Sequence, residues 1–196
     1  KIFEFIINDS DGFVNEKLVD KNSFQRVRNK FIYTNKKILL NKFGKKVIAA
    51  FSENDIYFSI LVYGIKLENE NLYPLVTAIL NSDLINHFLV HKYRKRIEDN
   101  FANIDTSAIK NIKKKKNFDE DLVAEISKIS NGLGKGKYNY EGKIKEKLNN
   151  LIFELYGLSY LEKQRVRDYF INKGIVKKSE LELYKEALKD TIETYF

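Results

Sequence analysis

The sequence predicts an α+β fold: a small, mainly antiparallel sheet with packed helices, followed by a C-terminal helical unit. Two observations carry this expectation. Short runs rich in Ile, Val, Phe and Tyr crowd residues 31–63, separated by segments of turn composition. From residue 72 onward, apolar residues recur instead at spacings of three and four.

The strand candidates are Phe31–Tyr33, Lys37–Leu40, Val47–Phe51 and Tyr57–Tyr63. Between them lie NKFGKK and SEND, whose residues favour tight turns. Leu72, Leu75, Val76, Ile79, Leu80, Leu84, Phe88 and Leu89 then form one stripe, which predicts a helix over Leu72–Leu89. Pro74, the single proline, falls in its first turn, where a missing N–H costs nothing. Phe118–Ile129 is the next helix candidate. The segment NGLGKGKYNYEGK, with its four glycines, predicts a hinge at about residues 132–142. The stripe Ile144, Leu148, Leu151, Ile152 and Leu155 ends at Gly157 as at a C-cap. Ser159 with Glu162 forms a capping box for a helix to about Phe170, and Ser179 with Glu182 repeats the device for a last helix. The run Lys113–Lys116 divides an α+β domain, residues 1–115, from a helical unit, residues 116–196.

The 196 residues suffice for one large domain or two small ones, and 43% hydrophobic content with 13% aromatics belongs to a folded chain. Thirty-five basic against 27 acidic residues give a net charge of +8, which favours anionic partners. With no cysteine, the sequence offers no disulfide, no thiolate nucleophile and no thiolate zinc site, and an intracellular location is expected. No apolar run approaches a membrane span, and the start KIFEFIINDSDGF lacks the pattern of a signal peptide. A chain that begins at Lys and contains no Met reads as a piece of something longer.

Catalytic motifs fail one by one. GLGKGK (Gly132–Lys137) is one residue short of a phosphate-binding loop and is followed by Tyr138 rather than Ser or Thr. His87 and His91 are four apart, but no third metal ligand stands nearby. NDSDG (Asn8–Gly12) would place Ile7 at the first position of a calcium loop, so it reads as a turn. Asp119, Glu141 and Lys143 loosely suggest a magnesium-dependent nuclease, a match that arises readily by chance in so charged a chain. No catalytic site and no metal site is expected.

The order of four segments is more informative: KILLNKFGKKVIAAF (Lys37–Phe51), LYPLVTAILNSDLINHFL (Leu72–Leu89), ANIDTSAIKNI (Ala102–Ile112) and LIFELYGLSYLEKQRVRDYF (Leu151–Phe170). Together they resemble the TaqI-like C-terminal specificity domain. That is the target-recognition region of adenine-specific DNA methyltransferases, and of single-chain restriction enzymes that fuse methylation with cleavage. The resemblance covers most of residues 30–170, with AILNS (Ala78–Ser82) its most telling piece and LYGLS the second. The chain departs from the family at Ile109–Lys116, where IKNIKKKK replaces a proline-bearing end.

The resemblance implies that the chain reads double-stranded DNA without modifying it and holds no cofactor of its own. S-adenosylmethionine and the Asn-Pro-Pro-Tyr or Asp-Pro-Pro-Tyr motif belong to an upstream methyltransferase domain of the same polypeptide, in a cytoplasmic prokaryotic enzyme. The resemblance places base readout on His91, Lys92, Tyr93, Arg94, Lys95 and Arg96, beyond the Leu-Asn-Ser helix, and on Asn103 and Asp105. The Arg fork matches O6 and N7 of guanine, while Asn and Asp suit adenine and cytosine edges. A solvated helix end favoured by the helix dipole is the competing reading of HKYRKR. Phosphate contacts are expected from Arg26, Arg28, Lys36, Lys37, Lys42, Lys45 and Lys46. Asn81 and Ser82 are expected to satisfy local backbone groups rather than read bases. A helical protein-interaction module with incidental basic charge is the alternative from another class.

Overall fold

The computed structural model describes residues 2, 4–7, 30–44, 46–93, 104, 106–110, 112 and 119–172. The architecture is α+β, as expected. Strands β1 (Lys37–Asn41), β2 (Ala49–Ser52) and β3 (Val62–Ile65) form an antiparallel sheet in the order β2-β1-β3. Helices α1 (Tyr73–Asn81), α2 (Asp83–Tyr93), α3 (Thr106–Lys110), α4 (Glu120–Gly134), α5 (Gly142–Leu155) and α6 (Tyr160–Asn172) follow.

The register explains why β1 reads as an unbroken apolar run. Ile38 and Leu40 pair with Phe51 and Ala49 on one side, and with Ile65 and Tyr63 on the other. These residues line the inner face. Leu39, opposite Ala50 and Gly64, points to the outer face and is buried as well. A strand covered on both faces loses the alternation of a half-exposed one.

The outer cover comes from segments whose composition suggests strands. Phe31–Tyr33 lies mostly in a 3-10 turn, Lys30–Ile32, and of Tyr57–Tyr63 only Val62 and Tyr63 belong to β3. Tyr33 stacks on Tyr57 at 4.9 Å between ring centroids and tilts against Phe58 at 5.0 Å. A Cβ added at Gly64 would stand 2.7 Å from Phe58 and 2.9 Å from Ile32, so the glycine makes room for this layer. Gly64→Ala is expected to destabilise by about 2 kcal/mol through overpacking. Gly132→Ala meets only the ring of Tyr138, which is 43% exposed and free to swing outward. Helix propensity there favours Ala by about 1 kcal/mol, so a near-neutral change is expected. Denaturant midpoints of the two variants check the contrast.

On the inner face, one apolar cluster joins Ile38 and Leu40 of the sheet to Leu75 and Ile79 of α1, and continues to Ile126 of α4 and Ile152 of α5. Ser130 of α4 donates to the carbonyl of Pro74 at 2.7 Å, which ties α4 to the first turn of α1. A smaller cluster of Phe153, Val166 and Phe170 seats α6.

Two helix boundaries differ from expectation. The stripe over Leu72–Leu89 is two helices, because Ser82 adopts an extended backbone at ψ 151°. Its hydroxyl donates to Ile79 O at 2.6 Å and accepts from Ile85 N at 3.3 Å, closing one helix and opening the next. The apolar spacing survives the break, so periodicity alone does not reveal it. Further on, α4 continues through Gly134, and the glycine-rich turn begins only at Lys135. Gly157 adopts φ +67° after α5, and Ser159 and Glu162 make the expected capping box before α6, with hydroxyl and carboxylate 2.7 Å apart. Those hydrogen bonds, the hydroxyl's first, hold the Glu162 carboxyl below its ordinary value. Asn8–Gly12, Lys113–Lys116 and the helix expected from Ser179 lie outside the described residues.

Candidate nucleic-acid interface

The site is built outward from Asn81, Ser82 and Asn86. Edge strand β2 presents the backbone of Ala49 to α1, and the amide of Asn81 pairs with it as a neighbouring strand would. Asn81 Oδ1 accepts from Ala49 N at 2.9 Å, and Nδ2 donates to Ala49 O at 2.8 Å and to Thr77 O at 3.1 Å. Asn86 extends the arrangement: Oδ1 accepts from Val47 N at 2.6 Å while Nδ2 donates to Ser82 O at 2.9 Å. All three side chains are buried. The Leu-Asn-Ser segment therefore locks the helix pair to the sheet edge, and Asn81 and Ser82 have the structural role read from the sequence.

From α5, Asn149 acts as a cap in trans. Its Oδ1 accepts from Asp83 N and its Nδ2 donates to Asp83 Oδ2, both at 2.9 Å, which fixes the N-terminus of α2. With both flanks held, α2 has a defined direction, and its last turn carries His91, Lys92 and Tyr93.

The end of the sheet is equally constrained. Asn41 donates from Nδ2 to the carbonyls of Phe43 (2.9 Å) and Lys46 (3.0 Å) and accepts from Ile48 N at 2.7 Å, clasping the β1–β2 loop. Gly44 has φ +149°, and a Cβ there would lie 2.8 Å from that amide nitrogen. Lys42 N donates to Leu61 O (2.9 Å), and Lys42 O accepts from Ile104 N (2.8 Å). Ile104 is buried and is held at this sheet end by that bond.

The sequence profile of the TaqI-like C-terminal specificity domain matches residues 6–112, just over half of the 196 residues. The chain belongs to this family. Among solved structures, this specificity domain is similar to the type IIL restriction-modification enzyme MmeI, determined in complex with DNA. The TM-score is 0.50 at 14% identity, over 68% of this chain and 22% of MmeI's, so the likeness is one of fold. The chain spans about a fifth of that enzyme's length. No match is found among curated protein sequences. Among the described residues, no helix is long and apolar enough to cross a membrane.

The four described lysines expected on phosphates in the specificity domain differ sharply. Lys37 must be withdrawn: it is fully buried, and its ammonium donates to Asn35 O at 2.7 Å and Asn54 O at 2.5 Å. Burial first, then the charge of Lys66, pushes its pKa below the ordinary lysine value against the opposing effect of Asp55. Lys37 ties two loops together and cannot reach a phosphate. Lys36 pairs with Glu70 at 2.9 Å, and this hydrogen bond and charge raise its pKa. Lys46 pairs with Glu4. Lys42 has no ion pair among the described residues; its ammonium lies 5.4 Å from the Phe43 ring centroid and 5.9 Å from that of Tyr63.

Arg26, Arg28, Lys45, Arg94, Lys95, Arg96, Asn103 and Asp105 lie outside the described residues, as do the side chains of His91, Lys92 and Tyr93. Of the residues considered for a nuclease, Asp119 is the N-cap of α4, accepting from Asp121 N at 3.0 Å and Leu122 N at 3.2 Å. Helix capping accounts for that carboxylate.

Proposed function

We propose that the chain is the target-recognition domain of an adenine-specific DNA methyltransferase in a restriction-modification system. It selects one short duplex sequence. An upstream domain of the same polypeptide binds S-adenosylmethionine and methylates an adenine flipped from the helix. In a single-chain arrangement, the same domain would direct a fused endonuclease to the same sequence. The chain itself contributes no catalytic group and acts in the cytoplasm.

Family membership carries this reading. The sheet end supports it: Lys42, Phe43 and Ile104, the neighbour in sequence of Asn103 and Asp105, stand side by side there. Phosphate contacts from lysines position the domain, and base edges supply the choice of sequence. The basic run His91–Arg96 continues from an α2 held at its N-terminus by Asn149.

Lys42 supplies the test. Duplex affinity of the 196-residue chain is expected to fall with salt at a slope of about −0.9 per phosphate contacted. Lys42→Ala should make the slope shallower by about one contact, whereas Lys36→Ala, already paired, should change it less. Affinity independent of salt in a fluorescence-anisotropy titration would contradict the proposal.

A further inference from the structure

Ser59–Val62 is a tight turn of unusual composition. Val62 N donates to Ser59 O at 3.1 Å, and Leu61 N donates to the Ser59 hydroxyl at 3.2 Å. Its two corner positions are Ile60 and Leu61, where Pro, Asn, Asp or Gly would ordinarily stand. Both side chains face solvent, at 70% and 57% exposure. The turn is also tied to the end of the sheet, where Leu61 O accepts from Lys42 N. Two branched aliphatics held outward break the local rule with no gain to the fold, and such breaks concentrate at functional positions.

We infer that the Ile60–Leu61 tip is a specificity element that reads a thymine through its C5-methyl group in the major groove. This rests on the DNA-recognition reading above. Two features select the occupant. The tip is tied through Leu61 O to the backbone N–H of Lys42, in a chain of net charge +8, which suits an anionic duplex. It is also small: two side chains, with Phe43 partly exposed nearby, fall well short of the roughly 800 Å² per partner of a stable protein interface. A two-residue turn fits a major groove about 12 Å wide, where the thymine methyl is the one apolar feature of a base-pair edge.

The test uses the 196-residue chain and the duplex it selects from a random pool. Each thymine in that duplex is replaced singly by deoxyuridine, which lacks only the methyl, and affinity is read by fluorescence anisotropy. One position is expected to lose about fourfold, the worth of one buried methyl. In the double variant Ile60→Ser, Leu61→Ser the same replacement should have no effect. Both residues are exposed, so the variant should keep its thermal midpoint. The inference is overturned if no position responds to uracil, or if the response persists in the variant. It is overturned equally if the variant loses affinity for all duplexes alike, as a wedge between base steps would, or if the tip instead drives dimerisation on a sizing column. A wild-type chain that selects no duplex would overturn the DNA reading itself, an outcome distinct from these.

Discussion

Asn81→Ala should lower the stability of the domain by about 3 kcal/mol, a fall in thermal midpoint of roughly 6–12 °C for a chain of this size. The variant leaves Ala49 N–H buried with no acceptor, removes one of the two donors to Ala49 O, and frees β2 from α1. Phe5 N still donates to that carbonyl at 2.9 Å, so the penalty falls chiefly on the N–H. Asn81→Asp should be worse, because it keeps the acceptor for Ala49 N but turns an oxygen toward the carbonyls of Ala49 and Thr77. Folded Asn81→Ala protein should nonetheless select the same DNA sequence as wild type. A changed sequence preference at unchanged stability would assign Asn81 to base readout instead.

Replacing Arg94 and Arg96 together with Ala should cost roughly a hundredfold in affinity for the selected duplex, since each bidentate contact to guanine discriminates by about 1–3 kcal/mol. Binding to unrelated duplexes should weaken far less. The corresponding Lys variants separate the two roles a cation can play. Lysine preserves charge toward phosphate but lacks the fork that meets O6 and N7 together. Loss of selectivity with retained salt dependence in the Lys variants identifies base readers. If Lys and Ala variants alike leave selectivity intact, the basic run is a solvated helix end stabilised by the dipole of α2.

How far the sequence could be read follows from what each signal encodes. Composition locates β1, and side-chain periodicity locates the helical stripes because it records which face is buried. Periodicity could not reveal the break at Ser82, since the stripe continues on both sides of it. Aromatic composition misplaced Phe31–Tyr33 and most of Tyr57–Tyr63, because a layer lying over a sheet needs the same residues as a strand within it. That reading also concealed Ile60 and Leu61 inside a supposed strand. The burial of Lys37 depends on carbonyls of Asn35 and Asn54 brought together only by the fold, and no local pattern announces it. The capping box at Ser159 is legible because its partner, Glu162, lies three residues away.

Selection of a random duplex pool by the 196-residue chain, followed by sequencing of the bound fraction, tests target recognition most directly. Enrichment of one short sequence is expected, lost when Arg94 and Arg96 are replaced by Ala. A bound fraction with no enriched sequence, from protein shown to be folded, would contradict target recognition.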